Sequence, residues 1–353
     1  MNDRIDVHHH IVPPAFIKAM DRHGIKEVAG TPLPNWSVNG SLSHMNATQT
    51  ATAITSLSAP GVYFGDRGEA IALARDCNEF AANMRETNPG KFGNFAVLPM
   101  PFTDDACKEA CYALDELNAD GVVLLGSTEG YFLGDERFDE LMEELNKRCA
   151  VVFIHPNLHA TSNDLHLNTP GYLVEFLCDT TRAATNLIFS GTMERFPDIK
   201  WILAHAGGFL PYIPWRLSLA NFLPEMQKQA PQGVMHYLER FYFDTALSPS
   251  PQAMSAILSL SGPDKILFGS DFPFAPSIAG QMQTRSLDRA KFLERKDKLA
   301  IQRSNALSLF PQFAMPNEPP SPAEGNHGKY AKTSLLPFLY YPLIKLADHL
   351  RHR

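Results

Sequence analysis

Short apolar runs rich in β-branched and aromatic residues alternate along this chain with longer segments in which apolar positions recur at helical spacing. The runs fall at 5–10, 53–58, 92–98, 121–125, 151–155, 201–205, 241–245 and 266–271, which makes eight predicted strands. Between them the spacing predicts helices at 69–87, 104–117, 136–147, 179–195, 210–223, 251–260 and 287–309. Strand followed by helix, repeated, is the signature of βα units. The runs GVVLL and VVFI are apolar without alternation, as parallel strands covered on both faces require. Eight such units favour a closed (β/α)8 barrel, the TIM barrel, over an open doubly wound sheet.

Two stretches break the pattern. Residues 24–52, rich in Gly, Pro, Asn, Ser and Thr, read as a long irregular insertion after the first strand, close to where the active site of a barrel opens. Residues 311–325 carry Pro311, Pro316, Pro319, Pro320 and Pro322, a composition that makes a stiff linker. Beyond it, 335–347 is apolar and aromatic, broken by Pro337 and Pro342, and the chain ends in His349, Arg351, His352 and Arg353. That stretch is too short to span a bilayer. It is expected to be an arm docking on this or a neighbouring subunit rather than an interfacial lipid segment, because the cations are few. The chain therefore divides into a barrel, 1–310, and a Pro-rich linker with an aromatic C-terminal arm, 311–353.

Composition narrows the class. A length of 353 residues admits two ordinary domains or one large barrel with extras. Acidic residues outnumber basic ones, 38 to 31, and a net charge of −7 argues against nucleic acid as a partner. Apolar residues at 44% and charged residues at 20% are ordinary for a globular protein with a sizeable core. The cysteines (Cys77, Cys107, Cys111, Cys149, Cys178) form no CxxC pair, so neither a disulfide framework nor a cysteine zinc site is indicated. The N-terminus has no apolar signal region and no stretch approaches ~20 uninterrupted apolar residues, so a cytoplasmic protein without a membrane span is expected.

The candidate chemistry starts at Asp6-Val7-His8-His9-His10. Side chains two apart on a strand share a face, so His8 and His10 converge while His9 points away, free to sit on a solvated edge. His155 ends the fifth strand, His205 the sixth and Asp271 the eighth. A barrel gathers the C-terminal ends of its strands on one face, so these residues meet there. Three imidazoles and a carboxylate suit one divalent transition metal, Zn2+ or Mn2+, with a position left for water or substrate. By this reading His205 is either a ligand or an acid/base beside the metal. The fourth strand offers no lysine or glutamate to bridge a second ion.

His-x-His on the first strand, the later single histidines, His205-Ala-Gly-Gly and Gly269-Ser-Asp-Phe-Pro-Phe274 together resemble the amidohydrolase superfamily. Within it they are similar to the decarboxylase branch that holds aminocarboxymuconate semialdehyde, γ-resorcylate and 6-methylsalicylate decarboxylases, over about residues 3–310. The resemblance implies His8, His10, His155 and Asp271 as metal ligands and His205 as the unliganded catalytic histidine, and Asp271 is expected besides to act as the catalytic acid that delivers a proton to the carboxyl-bearing carbon. It further implies that Arg216 reaches a neighbouring subunit's site to bind substrate carboxylate, and that Phe274 packs on the substrate ring. A homodimer or tetramer follows from the same resemblance. Residues 24–66 contain no arginine, so the second arginine expected for a dicarboxylate is absent. SLSAPGVYFGD and DGVVLL look closest to the 6-methylsalicylate group.

The expected activity is thus metal-dependent, non-oxidative decarboxylation of an ortho-hydroxy aromatic acid, with no organic cofactor. Trp36, Phe272 and Phe274 favour an aryl substrate. The alternatives are a lactonase-like hydrolase or hydratase with the same ligands, and a non-catalytic metal-binding barrel acting through its tail.

Overall fold

A computed structural model of the chain describes residues 3–315. Eight parallel strands run in sequence order around one sheet: β1 (Arg4–His10), β2 (Thr50–Ser56), β3 (Phe92–Val97), β4 (Gly121–Leu125), β5 (Val151–His155), β6 (Lys200–Leu203), β7 (Tyr242–Asp244) and β8 (Ile266–Leu267). The ring closes between β8 and β1 through Val7 N to Phe268 O (2.9 Å), Asp271 N to His8 O (2.8 Å) and His10 N to Phe272 O (2.6 Å). This is the (β/α)8 barrel that the pattern predicts.

Alternation along the strands builds its two apolar layers. Val97, Val123, Phe153, Ile202 and Leu267 belong to one buried cluster, and Ala96, Val122, Val152, Leu203 and Phe268, each one residue away, belong to another, with helix residues joining both. Both faces are buried, which is why these strands read as unbroken apolar runs.

The helices that matter for the site are α1 (Pro14–Arg22), α2 (Val38–Thr48), α3 (Arg67–Thr87), α4 (Thr103–Asp115), α5 (Asp139–Lys147), α6 (Gly171–Phe189), α7 (Pro214–Ser218), α8 (Pro251–Ser261) and α9 (Ser277–Arg289). Several differ from the sequence pattern. The insertion is not irregular throughout: Ser37 caps α2 by accepting from Gly40 N (3.1 Å), and Ser41, His44, Met45 and Thr48 form its buried face. That face has helical spacing but is mostly polar, so an apolar periodicity misses it. The helix expected at 179–195 begins at Gly171 and stops before Gly191 (φ 75°). The one expected at 210–223 is broken into short turns, because Pro211 and Pro214 offer no backbone N–H. The one expected at 287–309 is two pieces, α9 and a run from 295 to 309 with a π-turn at Ala300–Ser304. All five cysteines are free thiols, and among the described residues no helix is long and apolar enough to cross a membrane. Of the linker and arm expected at 311–353, residues 316–353 lie outside the described residues, and the linker's start is packed rather than free: Pro311–Phe313 form a 3-10 turn whose Phe313 lies against the barrel core.

Candidate active site

β1 carries the first two histidines, and its pairing with β2 shifts between Asp6 and His9, where three steps along β1 face two from Ala53 to Thr55. Such a bulge re-aims side chains. His8 and His10 turn to the barrel axis, whereas Asp6 and His9 share the outer side. His9 does not lie on a solvated edge: it is fully buried, with Nδ1 3.2 Å from Asp6 Oδ2 and Nε2 2.9 Å from Ser41 Oγ. Asp6 also accepts from Ser270 Oγ (2.6 Å), Ser270 N (3.0 Å) and His8 N (3.1 Å). One buried carboxylate thus fastens the first strand to the segment that carries Asp271.

His8, His10, His155 and Asp271 are brought together, with one donor atom from each lying within 4.8 Å of the others. His8 Nε2 and His10 Nε2 are 3.0 Å apart, and Asp271 Oδ1 is 3.3 Å from each. The far ring nitrogens are all occupied. His8 Nδ1 meets Asp244 Oδ2 at 2.6 Å, His10 Nδ1 meets the Ser56 carbonyl at 3.3 Å and Ser56 Oγ at 3.0 Å, and His155 Nδ1 meets the Pro156 carbonyl at 2.8 Å. A carboxylate or carbonyl there favours N–H on Nδ1, so that in the neutral ring the Nε2 lone pair is directed inward. This donor set fits a single divalent cation with three imidazoles and one carboxylate.

The electrostatics of three of the four side chains point the same way. Burial presses on all four groups. It drives His10 down to about 4, helped by the neighbouring His8 charge, and drives His155 well below the usual imidazole range. Burial also opposes protonation of His8, but Asp244 and Asp271 outweigh it and raise His8 to about 10. For Asp271, burial is overcome by the His8 charge and by hydrogen bonds from His10, His205 and His8, which hold the carboxylate well below its usual range. His10, His155 and Asp271 thus already hold the forms that bind a metal, and His8 gives up a proton on binding one.

His205 stands outside that group of four. Its Nε2 is 3.6 Å from Asp271 Oδ2, and its buried Nδ1 has no hydrogen-bond partner among the described residues. Its backbone is left-handed (φ 52°), as is that of Ala206 (φ 59°), and His205 N is held by Asp244 Oδ1 at 2.9 Å. The glycines that follow have a steric reason. A Cβ on Gly208 (φ 63°) would lie 2.3 Å from the Leu177 carbonyl oxygen.

A cavity of about 490 Å³ opens onto His155, His205 and Asp271, within the range of small-molecule sites. Phe274 lines it, with its ring 5.5 Å from that of His10, and so does Phe176, with its ring 5.9 Å from that of His155. Trp36 and Phe272 do not line it. Trp36 donates to Ser41 Oγ (2.9 Å), and Phe272 stacks on His44 at 4.3 Å, both behind the first strand. Arg216 is not in the cavity of its own chain. It is exposed on α7, lining a separate groove of about 890 Å³ with Phe189, Leu219 and Met226.

A sequence profile of the amidohydrolase family matches residues 5–312. The chain belongs to the amidohydrolase family. Among curated amidohydrolase relatives, the chain is 38% identical over 349 residues to the decarboxylase yanB of Aspergillus niger, covering 95% of each. It is 38% identical over 316 residues to the 6-methylsalicylic acid decarboxylase of Penicillium expansum, covering 88% of this chain and 97% of that one. Among solved structures it superposes on a 2,6-dihydroxybenzoate decarboxylase complexed with 2,6-dihydroxybenzoate, with a TM-score of 0.75 and 25% identity over 88% of this chain and 100% of that one.

Asp244, Asp6, Ser56 and Phe176 were not singled out in the sequence. Asp244 carries the mark that flags His155 and Asp271, a polar residue closing an apolar strand (FYFD), and was legible on that ground. Phe176 lies on a helix face and carries no such mark.

Proposed function

We propose that this protein is a metal-dependent decarboxylase, a carboxy-lyase acting on ortho-hydroxy aromatic acids of the 6-methylsalicylate kind. The observation that carries the reading is the junction of the four-donor group with an aromatic-walled cavity beside Asp271 and His205. The activities of these relatives support decarboxylation over the hydrolase alternative.

When bound at His8, His10, His155 and Asp271, a divalent cation, Zn2+ or Mn2+, supplies Lewis acidity toward the substrate's oxygens. The rest falls to the chain. Direct loss of carbon dioxide would strand an electron pair in an aryl σ orbital. Protonation of the carboxyl-bearing ring carbon avoids this: a C–H bond forms and aromaticity is suspended. The C–C bond to the carboxylate then breaks, its electrons restore the ring, and carbon dioxide leaves. Asp271 hands that proton over, and His205, with Nε2 3.6 Å from Asp271 Oδ2, holds it beforehand. Phe274 and Phe176 face the ring and exclude water. No organic cofactor is required.

Arg216 is proposed to serve the cavity of a second copy in a homodimer or tetramer. Its exposure, beside the exposed Tyr212 and Trp215, supports that arrangement. The barrel of 1–310 would be the catalytic unit, acting in the cytoplasm.

The experiment is direct. Protein loaded with Mn2+ or Zn2+ converts 6-methylsalicylate to 3-methylphenol, and in deuterated water the label enters at the former carboxyl carbon. Release of carbon dioxide without ring label would overturn the proton-first route.

A further inference from the structure

The insertion after β1 contributes a small hairpin in which Glu27–Val28 pairs with Thr31–Pro32. Val28 and Thr31 are cross-strand partners, so their side chains share one face, and both line the cavity. Glu27 and Pro32, on the opposite face, are exposed. The hairpin is fastened to the start of α6: Tyr172 N donates to Ala29 O (3.3 Å), and a Cβ on Gly30 (φ 84°) would lie 2.9 Å from Pro170 Cβ. From that first stretch of α6, Leu173 and Phe176 enter the same cavity. Hairpin and helix start thus form one continuous wall.

The chemistry of that wall is selective. Val28 and Phe176, the buried members of the wall, offer no hydrogen bond, nor does Leu173, while the partly exposed Thr31 and the exposed Tyr172 offer one hydroxyl each. Among the described residues, no lysine or arginine lines the cavity. A ring hydroxyl against this wall gives up water without full replacement, whereas an alkyl group does not. We propose, resting on the decarboxylase reading above, that this wall selects aryl acids whose ring substituent beyond the carboxylate and its ortho hydroxyl is apolar, and that Val28 is the specificity-determining residue.

The test measures binding and turnover separately on metal-loaded protein, with 6-methylsalicylate and 2,6-dihydroxybenzoate as probes. Stopped-flow measurement within the first turnover is expected to give a dissociation constant roughly 10-fold or more lower for the methyl acid. Val28→Thr, which keeps the side chain's shape and adds a hydroxyl, brings the two constants to within about 3-fold, while the thermal unfolding midpoint stays close to that of the parent. Val28→Phe, which fills the wall, weakens the methyl acid while unsubstituted salicylate still binds. Equal affinity of the parent protein for both acids, or an unchanged ratio in Val28→Thr, overturns the proposal. Discriminating binding without release of carbon dioxide would instead uphold the wall and sink the reaction.

Discussion

Asp244 Oδ2 lies 2.6 Å from His8 Nδ1, and the other oxygen of the same carboxylate accepts from His205 N and Ala246 N, each at 2.9 Å. One residue at the end of β7 therefore orients an imidazole of the four-donor group and the left-handed turn that carries His205. Carboxylates behind metal-binding histidines typically govern affinity by 10- to 100-fold, on the order of magnitude seen for such partners. Asp244→Asn is expected to weaken metal binding by about that factor and to lower kcat more than it raises KM. Competition with a fluorescent chelator checks the first, and steady-state kinetics at saturating metal check the second.

The four-donor group makes metal content the measure of the site. Prolonged chelation is expected to abolish turnover, and stoichiometric Mn2+ or Zn2+ to restore it. His8→Ala and His155→Ala should purify with little metal. The loaded parent should unfold at a higher temperature than the stripped protein, since a ligand at about 100 times its Kd adds about 2.7 kcal/mol. His8→Ala that keeps one tightly bound ion per chain would remove it from the ligand set.

Asp179 provides a pH test away from the ligands. Burial, only partly offset by hydrogen bonds from Ser127 Oγ (2.5 Å) and Asn157 N (2.9 Å), raises its carboxyl from 3.8 to about 6. The folded protein thus binds this proton more tightly than the unfolded chain. The stabilisation is complete below the unfolded value near 3.8 and is lost as pH rises through about 6. A shift of this size corresponds to about 3 kcal/mol. Urea unfolding at pH 4.5 and 7.5 should show Asp179→Asn gaining on the parent at the higher pH. An identical pH slope in both proteins would exclude the effect.

Gly208 tests the packing beneath His205. Its positive φ and the Leu177 carbonyl 2.3 Å from any added Cβ leave no room for a side chain. Gly208→Ala is expected to cost about 1–3 kcal/mol of stability, read from the denaturation midpoint. By displacing the adjoining turn it should also lower kcat with little change in metal content.

What the sequence made legible followed from periodicity and position. The strands are buried on both faces and announce themselves as apolar runs, and His8, His10, His155, His205 and Asp271 stand where those runs end. The interior helix α2 escaped notice because Ser41, His44 and Thr48 bury polar atoms in place of methyl groups. The bulge in β1 is invisible to a period-two reading, although it sends Asp6 outward to His9 and Ser270. Cavity walls such as Phe176 and Val28 depend on which helix and hairpin meet across space, and local composition carries no trace of that.

The closure of the barrel has a consequence for biogenesis. The strands that supply His8 and Asp271 are hydrogen-bonded neighbours in the ring yet stand at opposite ends of the barrel sequence. A nascent chain emerging from the ribosome has its His-x-His pair long before the carboxylate that completes the set. The four-donor group is therefore complete only once the last strand has closed on the first. A ring sealed out of register would separate His8 from Asp271 and leave the group without its carboxylate.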